Sequence, residues 1–344
     1  MTDIRQASAT PGRLVAVTGA AGHLGNVLVR RLVEAGRPVR AVVAPFDDRG
    51  ALAGLPVEFA AADVRDPAAL ERAFAGADTV FHLAGVITIQ SGQARLLEAV
   101  NVAGTRNAIA ACRAAGVRRL VYSSSVHALP EPPHGLAVCE TGEFRPDAVL
   151  GDYARSKARA SIEVRRAALD GLDAVMVFPS GIIGPHDWRP SEMGRLFIAY
   201  ARGRMRAVVD GGYDFVDVRD VADALISAAE RGRRGEGYLV SGHRITVRGL
   251  FRLLGEFTGV RPPRLKVPFP LARAGAALAP LWARLTRSSP LFTPYSLAVL
   301  RSNCVMNRSK AEHEFGFRPR PLRDTVLDTL GWFRSVGMLA AIVE

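Results

Sequence analysis

Leu14-Val-Ala-Val17-Thr18-Gly19-Ala-Ala-Gly22-His23-Leu24-Gly25-Asn-Val-Leu-Val-Arg-Arg-Leu-Val-Glu34 is the stretch on which the reading of this chain turns. Leu14–Val17 is a short apolar run, suited to a strand buried on both faces. Glycines follow at 19, 22 and 25, and a helical pattern runs from Leu24 to Glu34. The first glycine permits a tight turn, the second lets backbone approach a pyrophosphate, and the third allows close packing of helix on strand. The helix N-terminus then offers free N–H groups and the positive end of its dipole, with His23 and Leu24 completing the candidate phosphate loop. The spacing is G-x-x-G-x-x-G rather than the commoner G-x-G-x-x-G.

Working outward, Val39–Val43 and Val57–Ala61 read as further buried strands, the latter ending at Asp63-Val64. Thr79–Leu83 leads into Ala84-Gly85, and Arg119–Tyr122 leads into Ser123-Ser124-Ser125. Helical stretches, Pro67–Phe74 and Gln93–Ala115, separate them. Strands alternating with helices predict an α/β fold with a doubly wound parallel sheet. Ligands of such sheets bind beyond the carboxyl ends of the strands, where Gly19, Asp63, Ala84 and Ser125 all fall.

Tyr153-x-x-x-Lys157 is the second chemical signal. A lysine four residues on shares the helix face of the tyrosine. Tyrosine ordinarily titrates near 10, and a neighbouring positive charge favours its phenolate. Tyr153 could then donate a proton to a carbonyl being reduced or accept one from an alcohol being oxidised. Ser125 could hydrogen-bond the same oxygen and stabilise its developing charge. Taken alone the pair could be an ordinary amphipathic couple, but lysine is scarce in this arginine-rich chain.

From about Arg13 to Phe333 the sequence resembles the extended short-chain dehydrogenase/reductase family. The likeness rests on Thr18-Gly19-x-x-Gly22-x-x-Gly25, Asp63-Val64, His82-Leu83-Ala84-Gly85, Asn101-Val-x-Gly104-Thr105 and Tyr122-Ser-Ser-Ser125. It continues through Tyr153-x-x-x-Lys157, Pro179-Ser180-Gly-x-x-Gly184-Pro185 and Phe215-Val-Asp217-Val-x-Asp220-Val-Ala222. The resemblance implies a Rossmann-type sheet binding NAD or NADP, with a smaller interleaved C-terminal part that binds substrate. It further implies Tyr153 as acid/base, Lys157 as its activator and a ribose ligand, and Ser125 as the group that orients the substrate oxygen. Asp63 and Val64 would flank adenine, and Pro179 and Ser180 would border the nicotinamide. Gly19, Gly22, His23, Leu24, Gly25, Leu83, Ala84, Gly85, Asn101 and Ser123 complete the expected cofactor contacts. Asp217 and Asp220 resemble structural aspartates that brace the sheet, and a homodimer through Gln93–Ala115 and Asp152–Leu169 follows from family habit.

Nucleotide-sugar members of that family typically carry an arginine just before an Asp-aromatic pair, where it clamps a diphosphate. This chain has Tyr213 before Asp214-Phe215, and a phenol lacks both the charge and the fork of donors. The pattern is therefore closer to the dihydroflavonol-reductase and 3β-hydroxysteroid-dehydrogenase branches, unless Arg189 or Arg219 supplies the missing charge. The expected activity is reversible reduction of a carbonyl to an alcohol on a fairly apolar small molecule. The alternatives are a nucleotide-sugar epimerase or dehydratase, or a non-catalytic nucleotide sensor, against which the retained Tyr153 and Lys157 argue. Cofactor choice stays open, since Asp47 could serve NAD and Arg49 could serve NADP.

No linker divides the 344 residues. Residues 13–181, completed by 213–245, are read as the dinucleotide-binding part, and 182–212 with 246–335 as the substrate-binding part. Residues 1–12 are small and polar, read as disordered and without a signal peptide. Cys112, Cys139 and Cys304 show no metal-ligand spacing and cannot all pair, which fits a reducing cytoplasm and no metal. The net charge of +12 is scattered over arginines and gives no specific nucleic-acid stripe. Pro268–Leu285 is apolar but too interrupted to span a bilayer. It reads as a buried helix of the small part, with weak membrane-surface contact as the alternative. His127 reads as a structural histidine, and His186-Asp187-Trp188-Arg189 is placed near the pocket mouth.

Overall fold

The computed structural model describes residues 12–88, 92–276 and 294–340. Its first strand, β1 (Val15–Thr18), is buried at all four positions. Ala16 packs with Val42, Leu70 and Tyr122 on one side of the sheet, while Val15 and Val17 pack with Leu28, Leu32 and Leu225 on the other. A strand covered on both faces has no polar side to show, which is why it reads as an unbroken apolar run.

Around β1 are β2 (Val39–Val43), β3 (Glu58–Ala61), β4 (Thr79–His82), β5 (Arg119–Ser123) and β6 (Ala174–Pro179). Then come β7 (Gly181–Ile183), β8 (Ala207–Val208), β9 (Gly212–Asp217) and β10 (Gly237–Val240). The main sheet is seven-stranded and parallel, in the order β10-β6-β5-β4-β1-β2-β3. Strand order reverses between β1 and β4, and such a switch point leaves a crevice at the carboxyl ends of the two strands. The helices α1 (His23–Glu34), α2 (Pro67–Phe74), α3 (Ala94–Leu97), α4 (Gly104–Ala114) and α5 (Gly151–Leu169) follow in chain order. Leu70, Phe74, Ile109 and Val164 of α2, α4 and α5 cover one face.

The C-terminal half adds α6 (Glu192–Ala201), α7 (Val218–Arg231), β11 (His243–Thr246), α8 (Val247–Thr258) and β12 (Leu265–Lys266). Helix α7 joins α1 and the helix Ser309–Phe315 on the second face of the main sheet. A three-stranded sheet, β11-β9-β7, and the pair β12-β8 carry the smaller part. A separate core of Phe197, Tyr200, Phe215, Phe251, Leu330 and Phe333 supports it. Full burial of side chains of this size stabilises by about 1.5–3 kcal/mol each.

Two expectations are corrected. Val57–Ala61, read as a buried strand, is the margin of the sheet: β3 pairs only with β2, and its residues are largely exposed. The helix expected over Gln93–Ala115 is continuous from Ala94 to Ala114, with a π-helical turn at Glu98–Ala103 between α3 and α4. Within Pro268–Leu285 the described residues reach only to 276, and there Leu271 is 64% exposed, so this portion is no buried helix. The rest of that segment, like residues 1–11, lies outside the described residues.

Candidate active site

The glycine loop leaves no room for side chains. Gly19 has φ +66, and a Cβ there would lie 2.8 Å from the backbone nitrogen of Ala84. A Cβ on Gly25 would lie 2.0 Å from the Gly19 carbonyl oxygen. Gly22 caps α1 without any side-chain hydrogen bond, and the first turn holds no acid. The amides of that turn, at His23 and Leu24, are thus met by no side-chain acceptor at the place where a pyrophosphate needs donors. The residues fit the dinucleotide. His23 itself turns aside, its Nε2 lying 3.0 Å from the Pro185 carbonyl oxygen.

A directed chain of hydrogen bonds runs from this loop to the second motif. Thr18 is paired with His82 across β1 and β4. Its Oγ1 accepts from the amides of Leu83 and Ala84, both at 3.2 Å, and lies 2.8 Å from His82 Nδ1. His82 Nε2 lies 3.2 Å from Thr105 Oγ1, which itself donates to the Asn101 carbonyl at 2.6 Å. Thr105 has therefore used its only proton and accepts from His82 Nε2–H, which leaves Nδ1 to accept from the Thr18 hydroxyl. Asn101 Nδ2 donates to Ser156 Oγ at 2.9 Å, and Ser156 donates to the Tyr153 carbonyl at 2.7 Å. The Asn101 amide also grips Val86, accepting its N–H and donating to its carbonyl. The π turn that carries Asn101 aims this side chain between two segments, a common use of such turns.

Ser125 sits just beyond β5, Tyr153 and Lys157 on α5, and all three are buried. Burial pushes Tyr153 up to about 12, with the nearby Ser125 hydroxyl pulling the other way. Lys157 donates to the Ser123 carbonyl at 2.8 Å, lies 3.5 Å from the Tyr122 hydroxyl, and has its ammonium 5.0 Å from the Tyr122 ring centroid. Desolvation pushes it down to about 8. The expected lowering of Tyr153 by Lys157 is not what this geometry produces: burial dominates, and the ammonium is directed at Ser123.

The remaining expected positions are distributed as follows. Asp63 is wrapped by Arg65, at 2.5 Å, and this hydrogen bond holds its carboxyl below the usual range. Val64 is buried, with its side chain against Gly104 of α4. Gly85 lies between Asn101 and Lys157, where a Cβ would approach the two side chains to 3.2 and 3.6 Å. Pro179 ends β6, and Ser180 is buried with its amide donating to the Val240 carbonyl at 3.0 Å. Asp47 pairs with Arg189 at 2.9 Å, joining the loop after β2 to the smaller part, while Arg49 lies over the Phe59 ring. Arg219 is held by Asp217 and Asp328, and Asp220 holds Arg320. Trp188 packs edge-on against Trp332.

Two groups beside Tyr153 matter more than the sequence suggested. His127 meets the tyrosine ring edge-on, centroid to centroid 6.4 Å. Tyr295, on the helix Pro294–Val299, packs against Gly151 two residues ahead of Tyr153, where a Cβ would lie 2.5 Å from its ring. Its hydroxyl is buried with no hydrogen-bond partner among the described residues, and burial, followed by the charges of Tyr153 and Tyr213, pushes it up. Nothing local marks Tyr295, because 143 residues and the tertiary fold separate it from Gly151; an isolated tyrosine in an apolar stretch carries no signal. An apolar cleft lined by Leu196, Val208, Tyr213, Phe251 and Leu300 opens in the smaller part.

Residues 15–241 match the model of the NAD dependent epimerase/dehydratase family. Sterol demethylase protein B of Methylococcus capsulatus is 40% identical over 326 residues, covering 94% of this chain and 99% of that protein. A farnesyl-dihydroquinoline-oxide ketoreductase of Stigmatella aurantiaca is 30% identical, over 91% of this chain and 94% of its own. Among solved structures, that of gox2253 superposes with a TM-score of 0.84 at 36% identity, over 95% of this chain and 100% of its own. A nucleoside-diphosphate-sugar epimerase from Pseudomonas aeruginosa gives 0.77 at 29%, over 95% and 99%. The chain belongs to the NAD dependent epimerase/dehydratase family and is an enzyme of the extended short-chain dehydrogenase/reductase type.

Proposed function

We propose that this enzyme interconverts a carbonyl and an alcohol on a largely apolar small molecule, with Tyr153 moving the proton. When bound, the dinucleotide supplies or takes the hydride at its nicotinamide. Tyr153 gives its phenolic proton to the substrate oxygen, and Ser125 holds the same oxygen by a second hydrogen bond. A phenol pushed up to about 12 is protonated at neutral pH, the form that carbonyl reduction requires. Lys157 steadies the end of β5 through Ser123 and places a positive charge beneath the site. Tyr295 offers its buried hydroxyl to a second polar atom of the substrate.

The observation that carries the substrate class is that neither candidate arginine is free, among the described residues, to replace the clamp a sugar diphosphate would need. Position 213 is tyrosine, Arg219 is held by two aspartates, and Arg189 is held by Asp47. The relative named as a farnesylated-quinoline ketoreductase supports the same reading.

The test is fluorescence titration of the purified protein with NADH and NADPH. Turnover of the tighter nucleotide on a panel of apolar ketones and aldehydes, alongside UDP-sugars, follows. Oxidation of the nucleotide on apolar carbonyls is expected. Interconversion of UDP-sugars without it would overturn the substrate class.

A further inference from the structure

The net positive charge, expected to be scattered, is concentrated in one part of this chain. From Phe257 to Ala311 there is no aspartate or glutamate, while nine lysines and arginines occur. Those 55 residues hold nine of the twelve net positive charges; the other 289, with 36 cations and 33 acids, are nearly neutral. Elsewhere many arginines have carboxylate partners, as with Arg65, Arg106, Arg118 and Arg219. In the described part of the acid-free stretch, Arg261, Arg264 and Arg273 are exposed and form no ion pair among the described residues. Lys266 meets Asp210 at 2.6 Å, and at the end of the stretch Arg308 meets Glu312 at 2.8 Å and Lys310 meets Glu236 at 2.5 Å.

Large apolar side chains stand among these cations. Leu265 is 63% exposed and Leu271 is 64% exposed. Leu265 lies on β12 beside Ala207 of β8, so exposed Arg206 borders it from the neighbouring strand. Arg301, from the far end of the stretch, sets its guanidinium 4.7 Å from the Phe269 ring centroid and so brings a further charge to a residue close to Leu271 in sequence. Bare leucines ringed by unpaired cations match a surface that is negative outside and apolar just beneath.

We propose that this face docks the enzyme on an anionic lipid bilayer, with Leu265 and Leu271 entering the interface and the arginines meeting headgroup phosphates. No described helix is long and apolar enough to cross a membrane, so the protein lies on the surface. A nucleic acid would use the cations but has no use for the leucines, which is what separates the two partners.

The full-length protein is sedimented with phosphatidylcholine vesicles with and without a third of phosphatidylglycerol, at low and high salt. It pellets with the anionic vesicles only, and salt releases it. The double variant Leu265→Gln/Leu271→Gln and the triple variant Arg261→Gln/Arg264→Gln/Arg273→Gln each lower partitioning at least about tenfold. Both keep wild-type affinity for the nicotinamide nucleotide, which shows that they fold. Arg155→Gln/Arg159→Gln, on α5, changes partitioning little. The proposal is overturned if the wild type stays in the supernatant with anionic vesicles. It is equally overturned if the leucine variant pellets unchanged, or if duplex DNA binds while vesicles do not.

Discussion

Lys157 donates to the main-chain carbonyl of Ser123 at 2.8 Å, so an ammonium ion sits buried beneath the carboxyl end of a central strand. Burial lowers the lysine from 10.5 to about 8, a destabilising contribution of about 3 kcal/mol that is fully present below pH 8. Between pH 8 and 10.5 the folded protein loses this proton before the unfolded chain does, and the penalty fades. Lys157→Met removes the charge but leaves the Ser123 carbonyl unpaired, at about 1–3 kcal/mol. The stability of the variant relative to wild type is therefore greatest near pH 7 and declines as pH rises toward 10. Denaturant midpoints across this range measure it. A difference independent of pH would show that the lysine is not buried as a cation.

Asn101 ties α5 to the loop after β4 through Ser156 and both polar groups of Val86. Asn101→Ala leaves these groups unsatisfied, and a loss of about 1–3 kcal/mol is expected. Because Ser156 holds the Tyr153 carbonyl, kcat should fall more than nucleotide affinity does. Thermal melts with steady-state kinetics and nucleotide titration separate the two effects.

Tyr295 has a buried hydroxyl with no partner among the described residues. Tyr295→Phe keeps the ring against Gly151 and leaves stability within about 0.5 kcal/mol of wild type. Against a carbonyl substrate that carries a second oxygen, KM should rise about tenfold, the value of one hydrogen bond. With a purely apolar ketone the variant and wild type should match. Equal kinetics on both substrates would remove Tyr295 from the substrate contacts.

His82 is neutral in the fold, pushed down from 6.5 to about 3 by burial and then by the charge of Lys157. The unfolded chain binds this proton first, so stability present above pH 6.5 is lost as pH falls toward 3, by about 1.4 kcal/mol per pH unit. His82→Asn should flatten the acid limb of the stability curve. If the limb keeps its slope, His82 does not set it.

Much of this was legible in the sequence for physical reasons. β1 and the glycine loop are read from backbone demands: burial on both faces, a positive φ at Gly19, and no space at Gly25. Tyr153 and Lys157 share a helix face, so their spacing places them side by side, whereas Ser125 lies at a strand end, where ligands of such sheets bind. Edge position does not show in composition, and the exposed β3 was read as buried because Val57–Ala61 is apolar. The π turn at Glu98–Ala103 leaves helical periodicity nearly intact over so short a span. Lys157's orientation toward Ser123, the Thr18–His82–Thr105 relay and Tyr295 depend on residues brought together by the sheet and the smaller part. No local pattern encodes them.

The central claim is that Tyr153 moves the proton while Ser125 holds the reacting oxygen. Tyr153→Phe keeps the ring and removes one oxygen, so the measurement is its kcat on the best carbonyl substrate beside its affinity for the nicotinamide nucleotide. The account predicts that kcat falls about 10²–10⁴-fold with nucleotide affinity and melting temperature close to wild type. Turnover surviving in a variant that binds nucleotide normally would contradict it.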